Sequence, residues 1–328
     1  MRILENKIII LFLFTLLTLA SCKEEVVFYN TLNETSVYSG SNELTKIGFI
    51  NNQLGFVIGN KGTVLKTTNG GESWSAIGSF DSNINFNSLS LVEDSIIYIS
   101  GRSVTLNDKA LYKSIDYGSS WSALTVANVN GLEQTHFVSK NIGYSVSSGD
   151  IRKTTNGGVS FQTVTLSNNF RTQKVYFLDT LKGLAYADDY MVRHTFDGGT
   201  TWTVSNNEYA EFYYVNDFHM NDNGVGVVVD EHGSVITTSN YGENWVKNYN
   251  PTADNMQDVA LLSVQIIDNT IITSGPYTIA FSDDMGSSWK TFYDQNVRSV
   301  YYKDFHFFDK INGVGVRDNS IVKINKVD

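Results

Sequence analysis

The stretch that decides the fold is Thr67-Thr68-Asn69-Gly70-Gly71-Glu72-Ser73-Trp74. Its pattern, Ser/Thr-x-Asp/Asn-x-Gly-x-x-aromatic, occurs six times and includes all five tryptophans of the chain. The Asp/Asn positions are Asn69, Asp116, Asn156, Asp197, Asn240 and Asp284. They are spaced by 47, 40, 41, 43 and 44 residues. A period of about 40 to 50 residues in a β-rich chain is typical of propeller blades.

Each copy of this box has the chemistry of a hairpin turn. An Asp or Asn side chain bonds to nearby backbone N–H groups. The Gly two positions later tolerates positive φ, and the aromatic residue buries apolar surface against the next strand. An acidic side chain at this position could instead bind a metal or act in catalysis. Three of the six boxes carry Asn, however, so we expect the structural role.

The boxes divide the chain into blades. A first strand with apolar residues around a central position occurs seven times. The central residues are Gly48, Ser90, His136, Tyr176, His219, Ser263 and His306. A second strand often begins with Gly, a third enters the box, and a fourth starts at the box aromatic. The last unit has no box and only three strands, which would leave an open sheet edge. We therefore predict an all-β, seven-bladed propeller of four-stranded blades, closed by an N-terminal strand within residues 26–38.

Composition agrees with a folded β protein and limits its partners. Charged residues make up 18% of the 328 residues, aromatic residues make up 13%, and the net charge is −10. An acidic chain is poorly suited to nucleic acid, so no nucleic-acid partner is expected. The chain has one cysteine, which excludes an internal disulfide.

The N-terminus has the layout of an export signal. Two cations precede an apolar run from Ile8 to Ala20, which is too short to span a bilayer of about 30 Å as a helix. The run ends in Leu19-Ala20-Ser21-Cys22, which resembles the lipobox of bacterial lipoproteins. This resemblance implies that Cys22 is lipidated. The alternative is an ordinary secretory signal with a coincidental cysteine.

The residues after Cys22 suggest a destination. Lys23-Glu24-Glu25 resembles the signal that exports lipoproteins to the outer face of the outer membrane in one group of Gram-negative bacteria. The alternative is a solvated linker. The predicted organisation is a signal peptide over 1–21, a lipidated Cys with a short tether over 22–25, and one propeller over 26–328. We expect a monomer that meets the membrane only through its lipid anchor.

The chain resembles the photosystem II stability/assembly factor-like propellers. The shared features are the Gly-Gly boxes at Asn69 and Asp197 and the second strands that begin with Gly. This resemblance implies a non-catalytic assembly, scaffold or adhesion role with a macromolecular partner. Such boxes also occur in sialidases, but no arginine stands in the motif that precedes them there. The cleft between two propellers of xyloglucanase-like enzymes is not expected from one propeller.

We therefore predict no catalytic residue, no cofactor and no metal. The alternative function is a carbohydrate-active protein, either a glycan-binding module or a divergent glycoside hydrolase. The partner is thus expected to be a protein or a glycan that binds at a face of the propeller.

Polar residues two positions before the central residues predict a binding rim around the axis. These residues are Lys46, Ser88, Gln134, Lys174, Asp217, Leu261 and Asp304. Core positions are seldom this polar, so we expect the side chains to meet water. The candidate rim is Lys46, Gln134, Lys174, Asp217 and Asp304. The pattern brings no two carboxylates together, and a water-filled channel without a ligand is the alternative.

Two further sets of residues recur in register. His136, His219 and His306 share the central position, which favours packing against neighbouring strands over metal binding. A basic residue recurs just before the box, at Lys66, Lys113, Lys153 and Lys323, with His194 at the same place. These cations could form a belt on one face, or they could be solvated residues that lie over the blade edge.

Overall fold

The computed structural model describes residues 32–93, 95–104, 109–126, 132, 134–164, 166, 170–207, 212–248, 260–276, 278–293 and 302–326. These residues form 29 β-strands in seven sheets, without a helix. Accordingly, no helix in these ranges could cross a membrane. The first strands of most neighbouring blades contact each other, and that of the last blade contacts that of the first, whereas blades four and five pack together through a shared core cluster. The predicted seven-bladed β-propeller is confirmed.

The strands follow the predicted order along the chain. Strand β1 (Leu32–Ser39) precedes blade one, which contains β2 (Leu44–Phe49), β3 (Gly55–Gly59), β4 (Val64–Thr67) and β5 (Ser75–Ala76). Blade two contains β6 (Ile84–Val92), β7 (Ile96–Ser103), β8 (Lys109–Ser114) and β9 (Ser122–Ala123). Blade three contains β10 (Gln134–Phe137), β11 (Gly143–Ser147), β12 (Asp150–Thr154) and β13 (Gln162–Val164).

The remaining blades continue this pattern. Blade four contains β14 (Thr172–Phe177), β15 (Gly183–Ala187), β16 (Val192–Thr195) and β17 (Thr203–Val204). Blade five contains β18 (Asn206–Asn207), β19 (Val215–Met220), β20 (Gly226–Asp230), β21 (Val235–Thr238) and β22 (Asn244–Asn248). Blade six contains β23 (Ser263–Ile267), β24 (Thr270–Gly275), β25 (Thr278–Ser282) and β26 (Lys290–Tyr293). Blade seven contains β27 (Tyr302–Phe307), β28 (Asn312–Arg317) and β29 (Ser320–Lys326), with β1 at its outer edge.

Strand β1 closes the ring. It pairs antiparallel with β29 from Leu32↔Lys326 to Ser39↔Ser320, with a bulge near Val37. An ion pair between Glu34 and Arg317 adds a side-chain contact across this seam. The predicted closing segment therefore supplies the outer strand of blade seven over Leu32–Ser39, whereas its earlier part, 26–31, lies outside the described residues.

Blade five departs from four strands by one short addition. Strand β18 pairs parallel with β22 at the outer edge of the blade. The Asn206 N–H donates to the Glu243 carbonyl at 2.8 Å, and the Asn206 amide donates to Asn244 Oδ1 at 3.1 Å. The chain leaving blade four thus covers part of an edge that would otherwise be open to pairing.

The core lies between the blades. Second strands β3, β11, β15 and β20 are buried along their whole length. Each packs between two neighbouring blades, so both of its faces exclude water, and its sequence does not alternate between apolar and polar residues. One core cluster, for example, joins Phe56 and Ile58 of blade one to Ile97 and Ile99 of blade two.

Candidate functional site

The first strands of the blades surround a pocket of about 340 Å³ on the axis. Four of the five candidate rim residues line it: Lys46, Gln134, Asp217 and Asp304. The fifth, Lys174, instead donates from Nζ to the Asn216 carbonyl at 2.8 Å. The volume is at the lower end for ligand sites.

Several rim side chains also bind the next blade. Each accepts a hydrogen bond from a backbone N–H of the neighbouring first strand. The four bonds are Thr135 N–H to Ser88 Oγ (3.1 Å), Val175 N–H to Gln134 Oε1 (3.1 Å), Val264 N–H to Asp217 Oδ2 (3.1 Å) and Ile47 N–H to Asp304 Oδ2 (3.0 Å). These N–H groups do not belong to a strand ladder between blades and need partners when buried. The polarity of the rim thus has a structural reason as well as a possible binding role.

Blade six corrects the predicted register of the rim. The Phe307 N–H donates to Gln265 Oε1 at 2.8 Å, just as the Ile266 N–H donates to His219 Nδ1 at 3.2 Å. Gln265 is therefore the central residue of this blade. Ser263 takes the rim position that the sequence assigned to Leu261, and Leu261 is fully buried.

The structure also corrects the expectation that no two carboxylates come together. Ser263 Oγ lies 3.1 Å from Asp217 Oδ2 and 2.9 Å from Asp304 Oδ1. The hydroxyl therefore bridges carboxylates from blades five and seven. A hydroxyl has one proton and donates to only one of them at a time.

Two lysines balance these carboxylates. Lys46 Nζ lies 3.8 Å from Asp304 Oδ2, and the nearby Asp304 charge raises the pKa of Lys46. Burial raises the pKa of Asp304. The Lys46 charge lowers this pKa, and the Asp217 charge raises it further. Burial, reinforced by the Lys46 charge, lowers the pKa of Lys174. The rim is therefore a tightly coupled cluster of two basic and two acidic groups.

The central histidines form a second layer along the axis. His136 Nε2 bonds to the Phe177 carbonyl at 2.7 Å, and His306 stacks on Phe49 with ring centroids 5.0 Å apart. Burial lowers the pKa of all three histidines, to about 4 for His306, where His219 also contributes. They are therefore neutral at pH 7 and bind or pack against the next blade. Across the described ranges, no three His, Cys, Asp or Glu side chains group as potential metal ligands.

The six boxes share one hydrogen-bond pattern. In every box, Oδ1 of the Asp or Asn accepts from the N–H four residues later. In the Asp116 box, the Ser120 hydroxyl also donates to Oδ2 at 2.6 Å, and the hydrogen bonds from Ser120 lower the pKa of Asp116 to about 2. The oxygens that a metal or substrate would need are thus occupied within the turn.

Lys66, Lys153 and Lys323 contact the next blade, whereas Lys113 lies over a ring of its own blade. The contacts are Lys66 Nζ to the Tyr117 carbonyl (2.7 Å), Lys153 Nζ to the Gly198 carbonyl (2.8 Å), Lys113 Nζ over the Tyr98 ring (5.0 Å), and the ion pair of Lys323 with Glu72. His194 differs, since its Nδ1 lies 3.2 Å from Ser205 Oγ of its own blade. Lys66 and Lys153 therefore tie one box to the next, and the belt belongs to the face that carries the boxes.

Comparison with known proteins supports the architecture. Residues 30–164 match the family model of the photosynthesis system II assembly factor YCF48. The chain resembles the YCF48 family. This match spans blades one to three, and it confirms the resemblance predicted from the boxes. A search of curated proteins gave no match.

Solved structures extend the similarity to YCF48 over the whole ring. A structure described as YCF48 bound to D1 peptide has 17% identity and a TM-score of 0.71, and the match covers 92% of this chain and 96% of that one. YCF48 from Cyanidioschyzon merolae has 17% identity and a TM-score of 0.68, with 89% and 98% covered. A GH74 enzyme from Niastella koreensis has 14% identity and a TM-score of 0.70, with 88% and 53% covered. At these identities the likeness shows the fold alone.

The face that carries the boxes, here called the Asp-box face, has a feature that the sequence analysis missed. Four large apolar side chains lie exposed on turns of blades two, three and four: Ile115, Val159, Leu181 and Phe196, which are between 44% and 67% exposed. We call them the apolar arc. Leu181 lies on the same face as the boxes because its carbonyl accepts from the Gly198 N–H at 2.8 Å.

The box pattern itself does not require these residues. At the position of Ile115 and Phe196, the other four boxes carry Thr68, Thr155, Ser239 and Asp283. An apolar residue at an exposed position of a turn was the available signal in the sequence.

Proposed function

We propose that this protein is a non-catalytic, lipid-anchored propeller that binds a protein partner on the cell surface. The observation that carries the proposal is the apolar arc. Contiguous exposed apolar patches mark protein-docking surfaces, and the four residues of the arc share one face of three successive blades. The likeness to a YCF48 structure bound to a peptide supports this reading.

The surroundings of the arc suit a protein partner. Lys66, Lys113 and Lys153 lie on the same face, and none of them forms an ion pair with another described residue. Each keeps its ammonium group near backbone carbonyls or an aromatic ring. A partner with apolar and acidic side chains would therefore find both an apolar surface and nearby cations.

The proposal is tested by site-specific photo-crosslinking in cells that express the full-length protein. A photoreactive phenylalanine analogue replaces Ile115 or Phe196 in separate variants. The control positions are Val204 and Val246, which are 50% and 52% exposed but lie on outer strands. We expect a discrete protein adduct from the two arc positions and none from the controls. Equal yields from all four positions would contradict the proposal.

The candidate rim stays in the proposal as the competing site. It differs from the arc in that its side chains bind the neighbouring blades as well as line the pocket. Lys46→Gln and Lys174→Gln remove the charges with less disturbance than charge reversal would cause. If these changes abolish the adducts, whereas Phe196→Ser with the probe at Ile115 and Ile115→Ser with the probe at Phe196 do not, the rim is the docking site.

The anchor and location are also part of the proposal. Cys22 and Lys23-Glu24-Glu25 lie outside the described residues, so the sequence alone supports them. We expect mass spectrometry of the native protein to show Cys22 as an acylated N-terminal residue. Replacing residues 23–25 by alanines should then remove the protein from protease attack on intact cells. An unmodified Cys22 would contradict the lipid anchor. Unchanged protease access would contradict the role of residues 23–25 in export.

A further inference from the structure

The face opposite the boxes carries a cluster of three tyrosines, two exposed and one half-buried. It is built from the segment Phe212-Tyr213-Tyr214, which enters the first strand of blade five, together with Tyr190 from the turn after β15 and His232 from the turn after β20. Tyr213 and Tyr214 are 41% and 45% exposed, whereas Phe212 is buried. We call Tyr190, Tyr213 and Tyr214 the tyrosine platform.

The platform is held rigidly. The Phe212 N–H donates to the Tyr190 carbonyl at 3.1 Å, and the Tyr214 N–H donates to the hydroxyl of buried Tyr186 at 3.0 Å. On the other side, the Glu231 N–H donates to the Tyr214 carbonyl at 3.2 Å. Both neighbouring turns therefore fix the backbone of the segment before any ligand arrives.

Tyr214 is also held in a strained backbone conformation. Its φ is 49°, in the left-handed region that disfavours residues other than Gly and Asn. Such a conformation persists only where the surrounding structure holds it, and neighbouring Tyr190 shares it with φ of 62°. A buried side chain would explain the strain by packing, but the Tyr214 ring is exposed. The conformation instead presents the ring to solvent beside that of Tyr190.

The ring geometry limits the kind of ligand. The Tyr190 ring centroid lies 5.7 Å from that of Tyr214, with the planes at 81°, and 6.1 Å from that of Tyr213. Rings at these distances touch each other, so they leave no space for an alkylammonium group between them, and an aromatic cage is excluded. A ligand can contact only their outer surfaces.

The polar surroundings distinguish between two ligands that lie flat on aromatic rings. Exposed carboxylates stand in the two flanking turns, at Glu231 and at Asp188, whose Oδ1 accepts from the Arg171 N–H at 2.9 Å and whose Oδ2 remains for a ligand. Proline-rich peptides offer mainly carbonyl acceptors, which carboxylates cannot bind, and they have few N–H donors. Sugars offer many hydroxyl donors for carboxylates and apolar C–H surfaces for tyrosine rings. We propose that the tyrosine platform binds a neutral glycan.

The test is a calorimetric titration of the purified full-length protein. The probes are cellohexaose, xylohexaose, mannohexaose and maltohexaose, with decaproline as the competing ligand. We expect at least one hexasaccharide to bind with Kd of about 1 mM or lower. Tyr213→Ala and Tyr214→Ala should each weaken that binding by about tenfold or more, as is typical for the loss of a stacking ring.

Tyr117→Ala is the matched control. Tyr117 is 44% exposed and has φ of 58°, but it lies on the Asp-box face. We expect this variant to bind the hexasaccharide like the unaltered protein. The proposal is wrong if no hexasaccharide binds, if decaproline alone binds, or if all three variants behave alike. Loss of glycan binding with intact crosslinks from the apolar arc would separate this site from the proposed protein-binding function.

Discussion

Truncating Asp304 tests whether the axial side chains hold the ring together. This carboxylate accepts the Ile47 N–H at 3.0 Å across the seam between blades seven and one. In Asp304→Ala, that N–H loses its partner, and an unsatisfied buried donor costs about 1–3 kcal/mol. Lys46 contributes at most about 1 kcal/mol, since its side chain is 38% exposed and can turn to water. Ser263 loses little because it can donate to Asp217.

We therefore expect Asp304→Ala to lower the free energy of unfolding by about 2 kcal/mol. The measurement is equilibrium urea denaturation followed by tryptophan fluorescence. Asp304→Asn keeps an acceptor at the same place and should lose less than half as much. Ser88→Ala removes the equivalent acceptor for Thr135 within the ring and serves as the matched control. A loss below about 0.5 kcal/mol for Asp304→Ala would mean that water in the pocket replaces the carboxylate, and the reasoning would then fail.

Three further predictions concern the boxes. Tyr117→Gly should stabilise the fold by up to about 1 kcal/mol in thermal unfolding, because φ at this position is 58°. Gly70→Ala places a side chain at the same position of another box, where φ is 69°, and should destabilise the fold by about 1 kcal/mol. Asp116 has a lowered pKa, so its contribution to stability is complete above the ordinary value of 3.8 and is lost as pH falls to about 2. The melting temperatures of Asp116→Asn and the unaltered protein should therefore converge between pH 5 and pH 2, and a constant difference would refute this. Trp245→Ala should cost about 3–5 kcal/mol in urea denaturation, and half-buried Trp202→Ala should cost less; the reverse order would contradict the packing argument.

The sequence was sufficient to predict the architecture because the boxes repeat a local turn. Their spacing gives the length of a blade, the seven copies of the first strand give the number of blades, and the missing box in the last unit calls for a closing strand. The register error in blade six has a physical cause. A slip of one residue in a strand reverses its faces, but a slip of two, as between Leu261 and Ser263, keeps them. Alternation therefore could not distinguish the two registers.

Local sequence patterns could not predict the contacts between blades. The Ser263 bridge between Asp217 and Asp304 joins residues of three successive blades, so it exists only once these blades have packed side by side. The sequence analysis missed the apolar arc and the tyrosine platform for the same reason. Each combines side chains from turns that are distant in sequence, so no single stretch announced them.

The closing strand determines how the ring responds to mechanical force. Leu32 lies ten positions after Cys22, so an acylated Cys22 would hold β1 within about 35 Å of the membrane. Any pull between membrane and partner then acts first on the strand that seals the propeller. Tension parallel to β1 would load all the hydrogen bonds between β1 and β29 together, in shear. Tension perpendicular to β1 would break these residue pairs one after another, starting at Leu32↔Lys326. The direction of pulling would thus decide whether the protein withstands force or opens at its seam.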